Sequence, residues 1–174
     1  MRATTSAPTA KRPLYDPQQR RRRDETVWTL VQGVLAPVQF LIFFVSAILV
    51  LRFLLFGTGE TAAIGSVVIK TIALYSIMIT GAIWEKVVFG RYLFAPAFYW
   101  EDVFSMLVLA LHTAYLVALA AKALSPTGLM YLALAAYATY VINATQFLLK
   151  LRAARLQRPG TDTSQPISAM VSAK

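Results

Sequence analysis

Four long apolar stretches alternate with short polar segments along the chain. They cover about residues 28–56, 62–89, 102–123 and 129–149, and each is as long as the roughly 20 residues that a helix needs to cross a bilayer. Turns containing glycine, serine and proline at 57–60 and 125–128 join the first span to the second and the third to the fourth. Because such short connections reverse the chain direction, the pattern predicts an all-α polytopic membrane protein, an antiparallel four-helix transmembrane bundle.

Polar tails flank the apolar region. Residues 1–26 contain three prolines and four consecutive arginines, and we expect a flexible basic N-terminal tail. Residues 27–156 are predicted to form the transmembrane domain, and residues 157–174 a disordered C-terminal tail. The first apolar run is longer than the core of a signal peptide, so we interpret it as a retained span.

Lysine and arginine positions orient the predicted bundle. Fourteen of the 17 basic residues lie in the N-terminal tail, in the loop between the second and third spans with its flanks, and from Lys150 to the C-terminus. Only Arg52, Lys70 and Lys122 remain for the other side. The positive-inside rule then places both termini in the cytoplasm. We expect Lys70 to snorkel to the far interface. Because the basic residues lie in tails and at helix ends, their expected partner is anionic membrane lipid, and no nucleic acid is expected to bind.

Composition narrows the chemistry. Hydrophobic residues make up 57% of the chain, which exceeds the apolar content of ordinary soluble domains, and charged residues make up only 14%. There is no cysteine and one histidine, His112, so disulfides, thiolate catalysis and cysteine-based zinc sites are excluded. Any bound metal would therefore have to arrive with a cofactor or be held by carboxylates.

Polar residues inside the spans collect in the half that faces the cytoplasm, whereas His112 falls near mid-membrane. Glu101 and His112 are eleven residues apart and share a helix face, so the pattern predicts a pocket with carboxylates at its mouth and an imidazole at its floor. Other interpretations remain open: interfacial charges pairing with each other or with lipid, and hydrogen bonds between helices. The polar residues of the cytoplasmic half are Gln32, Gln39, Glu85, Lys86, Glu101, Asp102, Ser105, Asn143, Gln146 and Lys150.

Three long strings carry a family resemblance. TGAIWEKVVFGRYLFAPAFYWEDVFSMLVLALHTAY (80–115), YDPQQRRRRDETVWTLVQGVLAPVQF (15–40) and ALAAYATYVINATQFLLKLRAARL (133–156) are similar to the 3-vinyl (bacterio)chlorophyllide hydratase family of bacteriochlorophyll biosynthesis. The resemblance implies a hydro-lyase of the bacterial inner membrane, cytoplasmic or intracytoplasmic. Its substrate would be chlorophyllide a or bacteriochlorophyllide, whose C3-vinyl group gains water to become a 3-(1-hydroxyethyl) group. The resemblance also implies no resident cofactor and no metal site of the protein's own, since the substrate carries the magnesium.

That chemistry suggests roles for the polar residues. Hydration of a vinyl group begins with protonation of its terminal carbon, which needs an acid kept neutral near pH 7, and removal from water favours the neutral form of a carboxyl group. Glu85 and Glu101 are the candidate proton donors, and Asp102 is the candidate base for water. His112 is expected to be either an axial ligand of the substrate magnesium or a proton-transfer partner. The remaining candidate substrate-binding residues are Tyr92, Phe98, Trp100, Asn143, Gln146 and Gln39.

Two other functions fit parts of the pattern. A non-catalytic pigment-binding or assembly subunit of a photosynthetic complex would use His112 but would need no acid. A small transporter or channel subunit would carry charges or broken helices at the midplane of several spans. A homo-oligomer and contacts with neighbouring pigment-biosynthesis enzymes both remain open as partners.

Overall fold

The protein is described by a computed structural model over residues 14–156, with side chains as far as Arg152. Within that range the backbone forms five α-helices and no β-strand. The helices are α1 (Pro17–Glu25), α2 (Val27–Phe56), α3 (Glu60–Phe89), α4 (Tyr99–Ala120) and α5 (Pro126–Leu156). Helices α2 to α5 are long and apolar enough to cross a membrane, so the prediction of an all-helical protein with four apolar spans is confirmed.

Helix α1 lies inside the segment expected to be a flexible tail. Asp16 accepts a hydrogen bond from the Gln19 backbone N–H, and the Gln19 side chain accepts one from the Asp16 N–H. This reciprocal cap and a proline at the first helical position start the helix. The segment expected to be a flexible tail thus contains a regular helix at Pro17–Glu25. Residues 1–13 and the predicted C-terminal tail, 157–174, lie outside the described residues.

The ends of the helices follow local backbone conformation. Gly57 and Gly59 adopt left-handed φ values of 67° and 85° between α2 and α3, a conformation that glycine adopts without strain. Lys122 is also left-handed, with φ of 51°, and α4 ends just before it. The third span, α4, ends three residues earlier than predicted, and it also begins three residues earlier. Helix α5 begins at Pro126, three residues before the predicted start, and runs past the predicted end at residue 149.

Side-chain hydrogen bonds connect the long helices in pairs. Between α2 and α3, Trp84 donates to Thr29 at 2.9 Å, Gln32 donates to Thr80 at 2.7 Å, and the Ser46 and Ser66 hydroxyls lie 2.7 Å apart. Between α4 and α5, Asn143 donates to Ser105 at 2.8 Å, and Lys150 contacts Glu101 at 2.5 Å. The contacts between α2 and α3 are spread along the two helices, whereas those between α4 and α5 lie where α4 begins.

Apolar side chains cover the outside of the helices, and the interior mixes apolar and polar groups. Leu30, Leu41 and Leu55 are among the exposed residues, as expected for helices that face lipid. Val50, Val67, Tyr115, Met130 and Tyr137 belong to one buried core. The same interior encloses charged and polar residues, so the candidate chemistry lies inside the group of helices.

Candidate functional site

Three carboxyl groups meet where α3 ends and α4 begins. Glu85 lies in the last turns of α3, and Glu101 and Asp102 lie in the first turn of α4. The short loop 90–98 brings these helix ends together. The three residues are only 5%, 7% and 4% exposed, so their carboxyl groups are largely shielded from bulk water. We refer to Glu85, Glu101 and Asp102 as the carboxyl cluster.

The loop between α3 and α4 donates backbone hydrogen bonds to two members of the cluster. The N–H of Phe94 donates to Asp102 Oδ2 at 2.7 Å, and the N–H of Ala95 donates to Glu85 Oε2 at 3.4 Å. Phe94 has φ of 58°, a left-handed conformation that is unfavourable for a phenylalanine. Such strain persists where the surrounding structure imposes it. Here the strained residue lies in the turn that directs the N–H groups of Phe94 and Ala95 to the two carboxyl groups.

The members of the cluster differ in their partners. Glu85 and Asp102 are side-chain hydrogen-bond neighbours. Glu101 instead forms an ion pair with Lys150 of α5, whose ammonium also lies 4.9 Å from the centre of the Phe98 ring. The cluster therefore divides into a carboxyl–carboxyl pair and a carboxylate neutralised by a lysine.

Aromatic rings pack against one another where α3 ends and α4 begins. Tyr15, just before α1, stacks on Phe89 at 5.7 Å and lies 6.4 Å from Phe98. Burial raises the pKa of the Tyr15 hydroxyl, and the Arg23 guanidinium lies 4.8 Å from its ring centre and opposes that rise. The Tyr15 hydroxyl thus stays protonated at neutral pH. Trp84 meets Phe98 edge to face at 5.7 Å.

The aromatic residues proposed as substrate contacts are separated by the fold. Phe98 is 2% exposed and stacks on Phe147 at 5.9 Å. Tyr92 and Trp100 are 61% and 67% exposed. Tyr92 lies beside the Lys86 ammonium, and Trp100 meets Tyr99 edge to face. Only Phe98 adjoins the carboxyl cluster, and protein groups already contact its ring.

Below the cluster, α4 and α5 face each other with polar side chains. Asn143 donates to Ser105, and both residues are buried. The Asn143 Oδ1 and Gln146 Oε1 atoms are buried without a hydrogen-bond partner among the described residues. These two candidate binding residues therefore present free acceptor atoms inside the bundle.

His112 lies deeper on α4 and is fully buried. Its Nδ1 is 2.8 Å from the Val108 carbonyl oxygen, so Nδ1 carries the proton and donates. Nε2 is then a lone-pair acceptor, and it has no partner among the described residues. The ring lies 5.9 Å from the ring of Tyr137. A neutral imidazole with a free Nε2 is the form that binds a metal ion.

Lys70 does not reach the membrane surface, so the expectation that it snorkels is wrong. It is fully buried, its ammonium donates to Gln39 Oε1, and it lies 3.7 Å from the centre of the Tyr140 ring. The Gln39 amide gives the Lys70 side chain a polar contact and the Tyr140 ring gives it a π contact. With these contacts inside the bundle, the side chain does not extend to the interface. The interior of the bundle is consequently polar well beyond the end that holds the carboxyl cluster.

The structure assembles the predicted residues at two levels. The carboxyl cluster and Phe98 form the outer level, and His112 and Gln39 belong to the inner one, with Asn143 and Gln146 between them. Sequence reasoning missed Lys70 and Tyr140 as interior residues. A signal existed for the tyrosine, because buried α5 residues recur every three or four positions: Met130, Ala133, Ala136, Tyr137, Tyr140 and Asn143. In the described part of the chain, no group of three or more His, Asp or Glu side chains could hold a metal ion.

Comparison with known proteins gives a family for this arrangement. The sequence matches, over residues 15–153, the profile of a family described as 2-vinyl bacteriochlorophyllide hydratase. A protein of that name from Rhodobacter capsulatus is 63% identical over 154 residues, covering 88% of this chain and 89% of the relative. One from Cereibacter sphaeroides is 65% identical over 153 residues, covering 87% and 94%. No solved structure matches this chain.

Proposed function

This chain belongs to the 2-vinyl bacteriochlorophyllide hydratase family, and on that premise we propose that it adds water across the vinyl group of chlorophyllide a or bacteriochlorophyllide. The product carries a 1-hydroxyethyl group. The older numbering of the macrocycle places this vinyl group at C2, and the current numbering places it at C3. The observation that carries the proposal is the buried Glu85–Asp102 pair, since hydration needs an acid and a base side by side.

Glu85 is the proposed proton donor. A hydrogen bond between two carboxyl groups needs a proton on one of them, and the Glu85–Asp102 contact therefore supports a carboxylic acid at this position. Glu101 is less suited, because its carboxyl group is already engaged by Lys150 in an ion pair. In the first step, the vinyl π electrons take the Glu85 proton at the terminal carbon. A cation remains at the inner carbon, where the macrocycle delocalises it.

Asp102 is the proposed base for the second step. A water oxygen attacks the inner carbon, and its surplus proton passes to the Asp102 carboxylate. The proton then returns to Glu85 through the hydrogen bond between the two side chains, so the cycle consumes one water and restores the enzyme. The Phe94 N–H holds Asp102 at 2.7 Å. Water and a recycled proton are the only reagents needed, and we propose that no resident cofactor takes part.

His112 is the proposed axial ligand of the substrate magnesium. Its proton on Nδ1 and the free lone pair on Nε2 support this role over proton transfer. Asn143, Gln146 and Gln39 would contact polar groups at the edge of the macrocycle. Because Tyr92 and Trp100 are exposed, we propose that they interact with lipid headgroups rather than with the ring of a bound pigment.

The proposed topology is an antiparallel bundle with both termini in the cytoplasm, in a bacterial cytoplasmic or intracytoplasmic membrane. The order of contacts supports opposite directions for α2 and α3, because Thr29 pairs with Trp84 while Ser46 pairs with Ser66. The basic residues near the chain ends support the orientation. The carboxyl cluster would then open on the side that supplies water and substrate.

The proposed function is tested by incubating the purified protein with chlorophyllide a in ordinary and deuterated water. We expect a product heavier by one water, with deuterium in the new methyl group. Glu85→Gln removes the acid but keeps the side-chain shape, and it should lower turnover by about 10²- to 10⁴-fold while pigment binding persists. Glu60→Gln, at the exposed start of α3, is the matched control. Pigment that binds tightly to folded protein without conversion would instead favour the pigment-binding subunit.

A further inference from the structure

Lys70 is a buried lysine that the proposed mechanism does not use. It is fully buried on α3, and none of the ion pairs within residues 14–152 includes it. Its recorded polar partners are the Gln39 Oε1 atom and the face of the Tyr140 ring. A buried ammonium without a counter-ion is disfavoured by several kcal/mol, so an anion bound beside Lys70 would stabilise its charged form.

Gln39 provides a second observation at the same place. Its Oε1 accepts from Lys70, but its Nε2 is buried and has no partner among the described residues. An ammonium carries three N–H donors and an amide nitrogen carries two. The groups left over around this point are therefore donors, and the ligand that satisfies them must be an acceptor. A carboxylate, with two oxygens and a negative charge, fits that requirement.

We propose that Lys70 and Gln39 bind the free side-chain carboxylate of the tetrapyrrole, so that Lys70 selects the unesterified pigment over its ester. The inference rests on the hydratase function proposed above, because the "-ide" names of the substrates denote free acids. An ester at this position would leave Lys70 without a counter-ion.

The separation of the two sites suits a single ligand. Lys70 and Glu85 lie on the same helix, fifteen residues and therefore about 22 Å apart along its axis. We place the vinyl group of one tetrapyrrole at the carboxyl cluster and its acid chain at Lys70, so that a single ligand contacts both ends of this interval. His112 lies between these ends at the level of the macrocycle centre.

The test compares chlorophyllide a with its methyl ester on the purified full-length protein, by pigment absorption titration and by turnover. Wild type should bind the acid about 10- to 100-fold more tightly than the ester, the range expected for hydrogen bonds to a charged group. Lys70→Met should lower the affinity for the acid to that for the ester and leave the ester affinity unchanged. Lys122→Met, at the exposed end of α4, should keep the wild-type preference.

The wild-type comparison does not depend on how well a variant folds. Equal binding of acid and ester by wild type, or an undiminished preference in Lys70→Met, overturns the inference. Conversion of both pigments with equal KM overturns it too, and leaves the hydratase function standing. A clear preference for the acid without any hydration supports the carboxylate site and overturns the hydratase function instead.

Discussion

The ion pair between Glu101 and Lys150 allows a test of whether Glu101 stabilises the protein or acts as the proton donor. The N–O distance is 2.5 Å, and the two side chains are 10% and 25% exposed. Exposed ion pairs contribute about 0.2–1 kcal/mol, whereas removing one partner of a buried pair costs about 3–5 kcal/mol. The intermediate exposure predicts that Lys150→Met destabilises the protein by about 2 kcal/mol, because Glu101 is left charged next to Glu85 and Asp102.

Glu101→Gln should behave differently. The glutamine Oε1 still accepts a hydrogen bond from Lys150, so we expect a loss of about 1 kcal/mol, as for an ordinary hydrogen bond. The double variant Glu101→Gln with Lys150→Met should recover part of the stability lost in Lys150→Met, since the isolated charge is gone. The turnover of Glu101→Gln should fall much less than the roughly 10²-fold that removal of a general acid causes.

These variants are compared by thermal unfolding in detergent and by hydration of chlorophyllide a. For a domain of about 150 residues, 2 kcal/mol corresponds to a Tm shift of about 4–8 °C. The reasoning is refuted if Glu101→Gln abolishes turnover as Glu85→Gln is expected to, because a lysine-paired carboxylate would then be the acid. An unchanged Tm in Lys150→Met would show that the pair contributes nothing to stability.

Three further predictions follow from single contacts. His112→Gly should weaken pigment binding more than turnover of bound pigment, and added imidazole should restore binding, as measured by absorption titration; failure of imidazole to do so would argue against the ligand role. Tyr137→Phe should lower stability by about 1 kcal/mol, because it removes the 2.5 Å hydrogen bond with Ser46 while the ring remains. Phe94→Val should lower both stability and turnover, because a β-branched residue adopts the left-handed conformation at greater cost than phenylalanine, whereas Phe94→Gly should keep the backbone geometry; equal effects of the two would remove the role assigned to the strain.

The four apolar helices were predictable because each carries a strong local signal. Long uninterrupted apolar runs, and turn residues such as Gly57 and Gly59, indicate a span or a turn without any knowledge of residues distant in the sequence. Helix α1 was not predicted, since its start depends on the reciprocal cap of Asp16 and Gln19 in a segment otherwise rich in arginine. The end of α4 was misplaced because Ala121 and Lys122 favour helix by composition, while the turn to Pro126 requires a left-handed residue.

The site was predictable where chain connectivity brings residues together. Glu85 and Asp102 flank one short loop, so their proximity follows from the order of the spans. The interior position of Lys70 depends on how α2 and α3 rotate against each other, which hydropathy does not determine. A long, flexible lysine side chain is compatible with either surface or interior, and only the placement of Gln39 and Tyr140 decides between them.

The unsatisfied atoms of the interior connect these separate residues. Five buried side-chain atoms within the described residues lack a hydrogen-bond partner in the protein: Gln39 Nε2, His112 Nε2, Tyr115 Oη, Asn143 Oδ1 and Gln146 Oε1. Each such group costs about 1–3 kcal/mol when left unpaired, so retaining five in one helical bundle is costly for packing alone. A flat pigment with a central metal ion and polar groups at its edge would supply partners both for the unpaired donors and for the unpaired acceptors. These unpaired atoms support the proposal that the interior binds a polar ligand, because such a ligand would provide the hydrogen-bond partners that the described residues do not.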